Sequence, residues 1–166
     1  MGIMVATRRL GYHSVSKREV HMLILDTLAT PNKLPDIEGR YFACFCALDA
    51  KRLPAGELGE FCSRLLQDGC AYLCAWGPGC ARVHDIMDEQ IVGDNPPDSC
   101  VGRVMTTWHA EESLPDALSF FLNSTQPDES YAPEGCEVAL IISLAASDWN
   151  AAIEQYASDE MASAQC

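Results

Sequence analysis

Four short, largely apolar segments, each followed by a stretch with helical spacing, constrain the fold of this chain more than any other feature. They cover residues 41–48, 70–75, 101–108 and 136–144. Apolar runs without polar alternation are typical of strands buried on both faces of a parallel sheet. Successive strand–helix units predict right-handed crossovers, with helices on both faces. We therefore predict an α/β fold: a three-layer sandwich with a four-stranded, mostly parallel sheet of Rossmann-like or flavodoxin-like topology.

A helix is predicted after each of these four strands. Residues 55–68 and 79–93 carry apolar side chains at helical intervals. Ser113 is predicted to begin a third helix, and Ser147 or Asp148 a fourth. The pattern leaves the order of the strands open. Numbered along the chain, the orders 2-1-3-4 and 3-2-1-4 are both allowed.

The N-terminal part of the chain is predicted to be a helical extension of this domain. Ser16 and Glu19 have the spacing of a capping box, and the apolar residues after them recur at helical intervals. The same run also allows a strand over residues 20–25. The predicted units are a disordered or frayed N-terminus over 1–15, a helix and connector over 16–40, a single α/β domain over 41–158 and a loose tail over 159–166.

Charge and cysteine content exclude several classes of protein. The net charge of −13 repels phosphate backbones, so we predict no nucleic-acid partner. Apolar runs are too short to span a bilayer, and no apolar region follows the first basic residues, so we predict neither membrane insertion nor secretion. Nine cysteines, an odd number without an export signal, indicate a reducing compartment and a cytoplasmic protein. The acidic surface either keeps the protein in solution or docks on a partner with a basic surface.

Residues capable of unusual chemistry are concentrated at the predicted carboxyl ends of the strands, where open α/β sheets bind ligands. The order 2-1-3-4 would bring Asp49 close to Thr107 and His109. The order 3-2-1-4 would instead favour Asp49 and Asp148. The predicted ligand-binding residues are Trp76, Gly77, Gly79, Cys80, Thr106, Thr107, Trp108 and His109. The tryptophans either stack on a flat ligand or cover the core.

The elbow Gly77-Pro78-Gly79 opens a predicted helix. It could present backbone N–H groups to an anion, but a tight turn that needs glycine dihedrals explains it equally. The thiol of Cys80 at the helix start could be a nucleophile with His84 as its base, or a packed core thiol. The spacing of the cysteines and histidines here is not a recognised zinc pattern, so we predict no metal and no cofactor.

His109 follows the third predicted strand, with Glu112 three residues later. A general acid/base oriented by a carboxylate has this pattern, and so does an exposed histidine near the start of a helix. The candidate catalytic residues are therefore His109, Asp49 or Glu112 as its orienting carboxylate, and Cys80 as a nucleophile.

Two segments resemble a family of small bacterial domains of unknown function. They are Ala75-Trp76-Gly77 with Cys80, His84, Asp85, Asp88 and Glu89, and Val104-Met105-Thr106-Thr107-Trp108-His109 with Glu112 and Leu114. The resemblance covers about residues 30–146 and implies a bacterial, cytosolic α/β domain without implying an activity. The chain departs from the family pattern at Asp49 (an acidic pair in the family), at His84 (an aromatic residue or serine) and in its additional N-terminal segment.

The leading functional hypothesis is a non-enzymatic module that binds a small ligand or a protein. It would use a pocket between residues 76–80 and 106–109. One alternative is a small hydrolase or transferase that uses His109 with a carboxylate. Another is an immunity- or antitoxin-like protein whose acidic surface binds a basic partner.

Overall fold

The computed structural model describes residues 6–28, 41–93, 103–133, 135–144 and 147–163. These residues form a six-stranded sheet and four α-helices, with two short 3₁₀ turns, Ala50–Arg52 and Glu129–Tyr131. The elements in chain order are β1 (Ala6–His13), β2 (Arg18–Leu25), β3 (Phe42–Ala47), α1 (Ala55–Asp68), β4 (Cys70–Trp76), α2 (Cys80–Val92), β5 (Met105–His109), α3 (Leu114–Ser124), β6 (Val138–Leu144) and α4 (Ser147–Ser163). None of the described helices is both long and apolar enough to cross a membrane.

The strands lie in the order β1-β2-β6-β3-β4-β5. Every neighbouring pair is parallel except β1 and β2, which form an antiparallel hairpin. The prediction of a mixed α/β fold with a mostly parallel sheet is confirmed. The four predicted strands are β3 to β6, and their order is the second of the two predicted orders, 3-2-1-4. The sheet has six strands rather than four because the hairpin extends it beyond β6.

The predicted N-terminal helix is wrong, since residues 18–25 form strand β2. Nearly every side chain of this run is buried, because one set faces the core on one side of the sheet and the alternate set faces the core on the other. Ser16 does not cap a helix; its hydroxyl lies 2.8 Å from Nδ1 of His13 in the hairpin turn. Residues 6–13 of the segment predicted to be frayed form β1, while residues 1–5 and 29–40, which include the predicted connector, lie outside the described residues.

Polar contacts, some buried and one at the surface, attach the hairpin to the rest of the domain. Arg18 is 5% exposed, and its guanidinium donates to the carbonyl oxygen of Cys136 at 3.2 Å and to the hydroxyl and carbonyl oxygens of Thr125 at 2.9 and 3.0 Å. On β1, Arg8 forms an ion pair with Glu154 of α4 at 3.2 Å. The hairpin therefore belongs to the folded domain rather than to a separate extension.

The helices cover both faces of the sheet. α1 and α2 pack on one face, here the α1/α2 face, and α3 and α4 pack on the other, the α3/α4 face. Helix α4 continues to Ser163, into the part predicted to be a loose tail, because Met161 is buried against the hairpin; residues 164–166 lie outside the described residues. Strand β5 begins at Met105, later than predicted, and residues 94–102, which include the first two residues of the predicted strand, lie outside the described residues.

Candidate functional site

The carboxyl ends of β4 and β5, which bear the two tryptophans, lie side by side. Trp76 pairs with His109 and Ala75 pairs with Trp108 in the parallel ladder. Side chains of a strand alternate between the two faces of the sheet, so residues 106–109 divide into two sets. Thr107 and His109 face α3, while Thr106 and Trp108 face α2. The structure brings the predicted residues to one edge of the sheet but arranges them as two clusters, back to back.

The first cluster, on the α3/α4 face, is centred on His109, which is 5% exposed. Its Nδ1 lies 2.8 Å from Oε2 of Glu112, and its Nε2 lies 3.1 Å from Oγ1 of Thr107. With a carboxylate at Nδ1, a neutral ring carries its proton there, which leaves the lone pair of Nε2 facing the threonine hydroxyl. Thr107 Oγ1 is also 3.4 Å from Sγ of Cys74. The predicted pairing of His109 with Glu112 is thus present, and Thr107 and Cys74 continue the row of polar contacts.

Aromatic side chains hold this His109 cluster in place. The indole N–H of Trp76 donates to the carbonyl oxygen of Glu112 at 2.9 Å, and the ring of Phe120 lies 4.8 Å from the imidazole. Trp76 also makes an edge-to-face contact with Trp149 of α4, with ring centroids 5.1 Å apart. Both the indole N–H and the ring of Trp76 therefore make contacts within the protein.

The second cluster, on the α1/α2 face, is named here the Trp108 surface and consists of Trp108, His84, Asp85, Asp88 and Thr106. Trp108 is 50% exposed, and its ring lies 4.3 Å from the ring of His84. The two ring nitrogens of His84 lie 3.0 Å from Asp85 and 3.3 Å from Asp88. Thr106 donates to the other oxygen of Asp88 at 2.6 Å. These contacts fix the orientation of an exposed tryptophan on an acidic surface.

The glycine elbow has a packing explanation. Gly77 and Gly79 have φ values of +113° and +72°, and a β-carbon at Gly77 would lie 2.2 Å from the carbonyl oxygen of Leu48. The N–H of Cys80 donates to the carbonyl of Gly77, and that of Arg82 to the carbonyl of Gly79. These glycines permit the close approach of the elbow to the end of β3. The backbone N–H groups of Cys80 and Arg82 are already engaged in hydrogen bonds to the elbow.

Cys80 is 1% exposed and packs in the core on the α1/α2 face. Burial raises the pKa of its thiol, and the nearby backbone N–H groups of His109, Cys80 and Ala81 only partly oppose this. His84 directs its ring nitrogens at carboxylates, so the structure does not pair the two as nucleophile and base. Within the described ranges, no three His, Cys, Asp or Glu side chains are arranged to hold a metal ion.

Asp49 lies away from the His109 cluster. It caps the 3₁₀ turn after β3 by accepting from the N–H of Lys51 at 3.1 Å, and it lies 3.5 Å from Nε of Arg52. Asp148 is exposed in the first turn of α4. Neither aspartate orients His109.

A cavity of about 450 Å³ lies away from these residues, against Thr27, Leu28, Glu57 and Glu60.

Sequence reasoning missed Phe120 and Trp149 as neighbours of the site. No local signal in the sequence connects them to it, since they come from two different helices, α3 and α4. The pairing of His84 with Asp88 does have a signal, because side chains four residues apart on a helix are neighbours.

A family model described as a domain of unknown function (DUF7684) matches residues 23–160. No curated protein and no solved structure matches the chain.

Proposed function

We propose that this chain, which belongs to the DUF7684 family of domains of unknown function, is a protein-binding module whose partner presents a basic surface. The observation that carries this proposal is the half-exposed Trp108, held in one orientation among carboxylates. Tryptophan is enriched among the residues that dominate binding energy at interfaces. An aromatic side chain already fixed by neighbours loses little conformational entropy when a partner covers it.

The distribution of charge supports a basic partner. Arg103 is the last lysine or arginine in the sequence, so β5, α3, β6 and α4 contain no permanently basic side chain, whereas α3 and α4 contain carboxylates. On α2, Asp85 and Asp88 add carboxylates beside Trp108. An acidic surface attracts a basic one at long range and repels other acidic proteins, so this pattern favours both fast association and selectivity.

A protein partner explains the site better than a small ligand does. In a Rossmann-like topology, which the order of β3 to β6 and the helices on both faces support, a small ligand would bind at the switch point between β3 and β6. Asp49 at that point is engaged in capping a turn. Trp76 is packed against Trp149, whereas Trp108 offers its surface at an edge of the sheet.

Capture of the partner through a photoreactive residue tests this proposal. The photoreactive residue replaces Ala110, which is exposed two positions after Trp108. The labelled protein is mixed with an extract of the cells that naturally produce it, and the mixture is irradiated. We expect a basic protein to be captured. Its affinity, measured with purified components, should fall at least about tenfold with Trp108→Ala and should weaken as salt is added. Tyr12→Ala is the matched control, because Tyr12 is an aromatic residue exposed to 48% on the opposite edge strand.

Two results would contradict the proposal. One is a captured partner that is neutral or acidic. The other is an affinity that Trp108→Ala leaves unchanged, or that Tyr12→Ala lowers as much.

The second candidate function is a hydrolase or transferase, and the His109 cluster is the observation that favours it. The chain from Glu112 through His109 to Thr107, with distances of 2.8 and 3.1 Å, places an oriented base beside a hydroxyl. Thr107 is only partly buried, so its hydroxyl is within reach of the surface.

Hydrolysis of a panel of activated esters tests this second candidate. An enzyme should lose at least about a hundredfold in kcat/KM with His109→Gln, because general base catalysis contributes that much or more. Glu112→Gln should lower the rate substantially, whereas Glu111→Gln, at its exposed neighbour, should not. Absence of turnover by the intact protein, or equal rates in all variants, would exclude this function for esters.

A further inference from the structure

We infer that the partner binds by adding an extended strand to the outer edge of β5, and that lysine or arginine occupies alternate positions of that strand. This inference rests on the proposed function and specifies how the basic partner is recognised. It requires an open edge at β5, side chains that select charge on one face, and room for a different side chain on the other.

The two edge strands of the sheet differ in their protection against pairing. Natural edges are commonly blocked by charged side chains, proline or a β-bulge. Strand β1 has exposed Arg8 and Arg9, and its register shifts between Arg9 and Gly11 as in a bulge. Strand β5 pairs with β4 without a shift from Met105 to His109, and it contains no lysine, arginine or proline. Of the residues that the structure describes, none pairs with the outer edge of β5.

The alternation of side chains along β5 specifies the alternation in the partner. A residue beside Trp108 on the α1/α2 face would lie over the exposed indole and near Asp85 and Asp88. A cation fits there because it gains both from the face of the indole and from the carboxylates.

The next residue of the partner would lie on the α3/α4 face. It would neighbour Met105 or Thr107, which are partly exposed and uncharged. Small apolar or β-branched residues suit these positions, because such side chains pack well on a pleated surface. The recognised pattern is therefore basic, apolar, basic over the five residues of β5.

In this mode, main-chain hydrogen bonds supply much of the affinity and alternate side chains supply the specificity. The pairing would also place a side chain over Trp108, which explains why a tryptophan is exposed at this position.

Synthetic peptides test the inference directly with the full chain. The parent peptide alternates lysine and valine over about seven residues, the usual length of a strand. One variant has the same composition with the lysines clustered. Two others carry N-methyl groups on the backbone nitrogens of all lysines or of all valines, and each of these peptides has one of its two hydrogen-bonding edges blocked. A last peptide carries both sets of methyl groups, so both of its edges are blocked.

We expect the parent peptide to bind and to slow hydrogen exchange of β5 amides. At least one singly methylated peptide should bind like the parent, whereas the doubly methylated peptide should bind at least about tenfold more weakly because it cannot pair. The clustered peptide should also be weaker. Trp108→Ala should weaken the parent peptide, and Tyr12→Ala should not.

Equal binding of the parent, clustered and doubly methylated peptides would overturn strand addition while leaving the basic partner in place. Failure of every basic peptide to bind, together with capture of a partner that is not basic, would overturn both proposals. Self-association of the protein alone that Trp108→Ala abolishes would also overturn the inference, because the edge would then be occupied by a second copy of the chain.

Discussion

Gly77→Ala is expected to lower the free energy of unfolding by about 3 kcal/mol or more, the sum of a backbone and a packing cost. The backbone cost arises because Gly77 has φ +113°, which a residue with a side chain rarely adopts. The packing cost arises because the new β-carbon would lie 2.2 Å from the carbonyl oxygen of Leu48, a backbone atom at the end of β3. The melting temperature should fall by roughly 6–12 °C.

Urea unfolding of the variant beside Gly56→Ala provides the measurement and its control. Gly56 lies in α1, and a β-carbon there would meet no atom within 4 Å. Because alanine favours the helix, Gly56→Ala should raise stability by about 0.5–1 kcal/mol. If Gly77→Ala were as harmless as Gly56→Ala, the packing of the elbow against β3 would not be what requires glycine.

Alkaline pH is expected to destabilise the protein by about 6 kcal/mol between about pH 8 and about pH 10. Burial raises the pKa of Cys62 and of Cys74 to about 12, and it raises the pKa of Cys44 and of Cys70 well above the usual value. Above about pH 9, these thiols lose their protons in the unfolded chain but keep them in the folded one. The unfolded state then binds fewer protons, so stability falls as the pH rises, by about 1.4 kcal/mol per thiol over this range.

The check is the midpoint of urea unfolding at both pH values, in the presence of a reductant. In Cys62→Ala/Cys70→Ala, about half of the pH-dependent loss from these four thiols should disappear, although the variant starts from a lower stability at neutral pH. The same loss in this variant as in the natural chain would show that other groups cause the alkaline transition.

The central part of the fold was predictable because its elements have unambiguous patterns. The buried strand β3, with no exposed side chain, can hardly be confused with a surface helix, and α1 has an apolar stripe ended by Gly69 in the left-handed conformation. Strand β2 could not be assigned in the same way. Its apolar residues satisfy helical spacing and also fit a strand buried on both faces, and only contacts with β6 and β1 decide between the two.

The candidate site was predicted in position but not in arrangement. The ends of β4 and β5 could be placed at one edge from the order of the units along the chain. The division between His109 on one face and Trp108 on the other follows from the pleat, and it is visible in the sequence once β5 is known to be a strand. The contact between Trp76 and Trp149 depends on how α4 packs across the sheet, which no local pattern contains.

The hairpin of β1 and β2 is part of the folded domain, but the family match covers only a part of it. The match begins at residue 23, within β2, so β1 and most of β2 precede it. Without the hairpin, β6 would become the end of the sheet. Its run Val138–Leu144 is uncharged and almost entirely buried, and such a strand, once uncovered, recruits copies of itself into aggregates. The first strands of the chain therefore act as a cover that keeps an uncharged, strand-forming segment out of reach of other molecules.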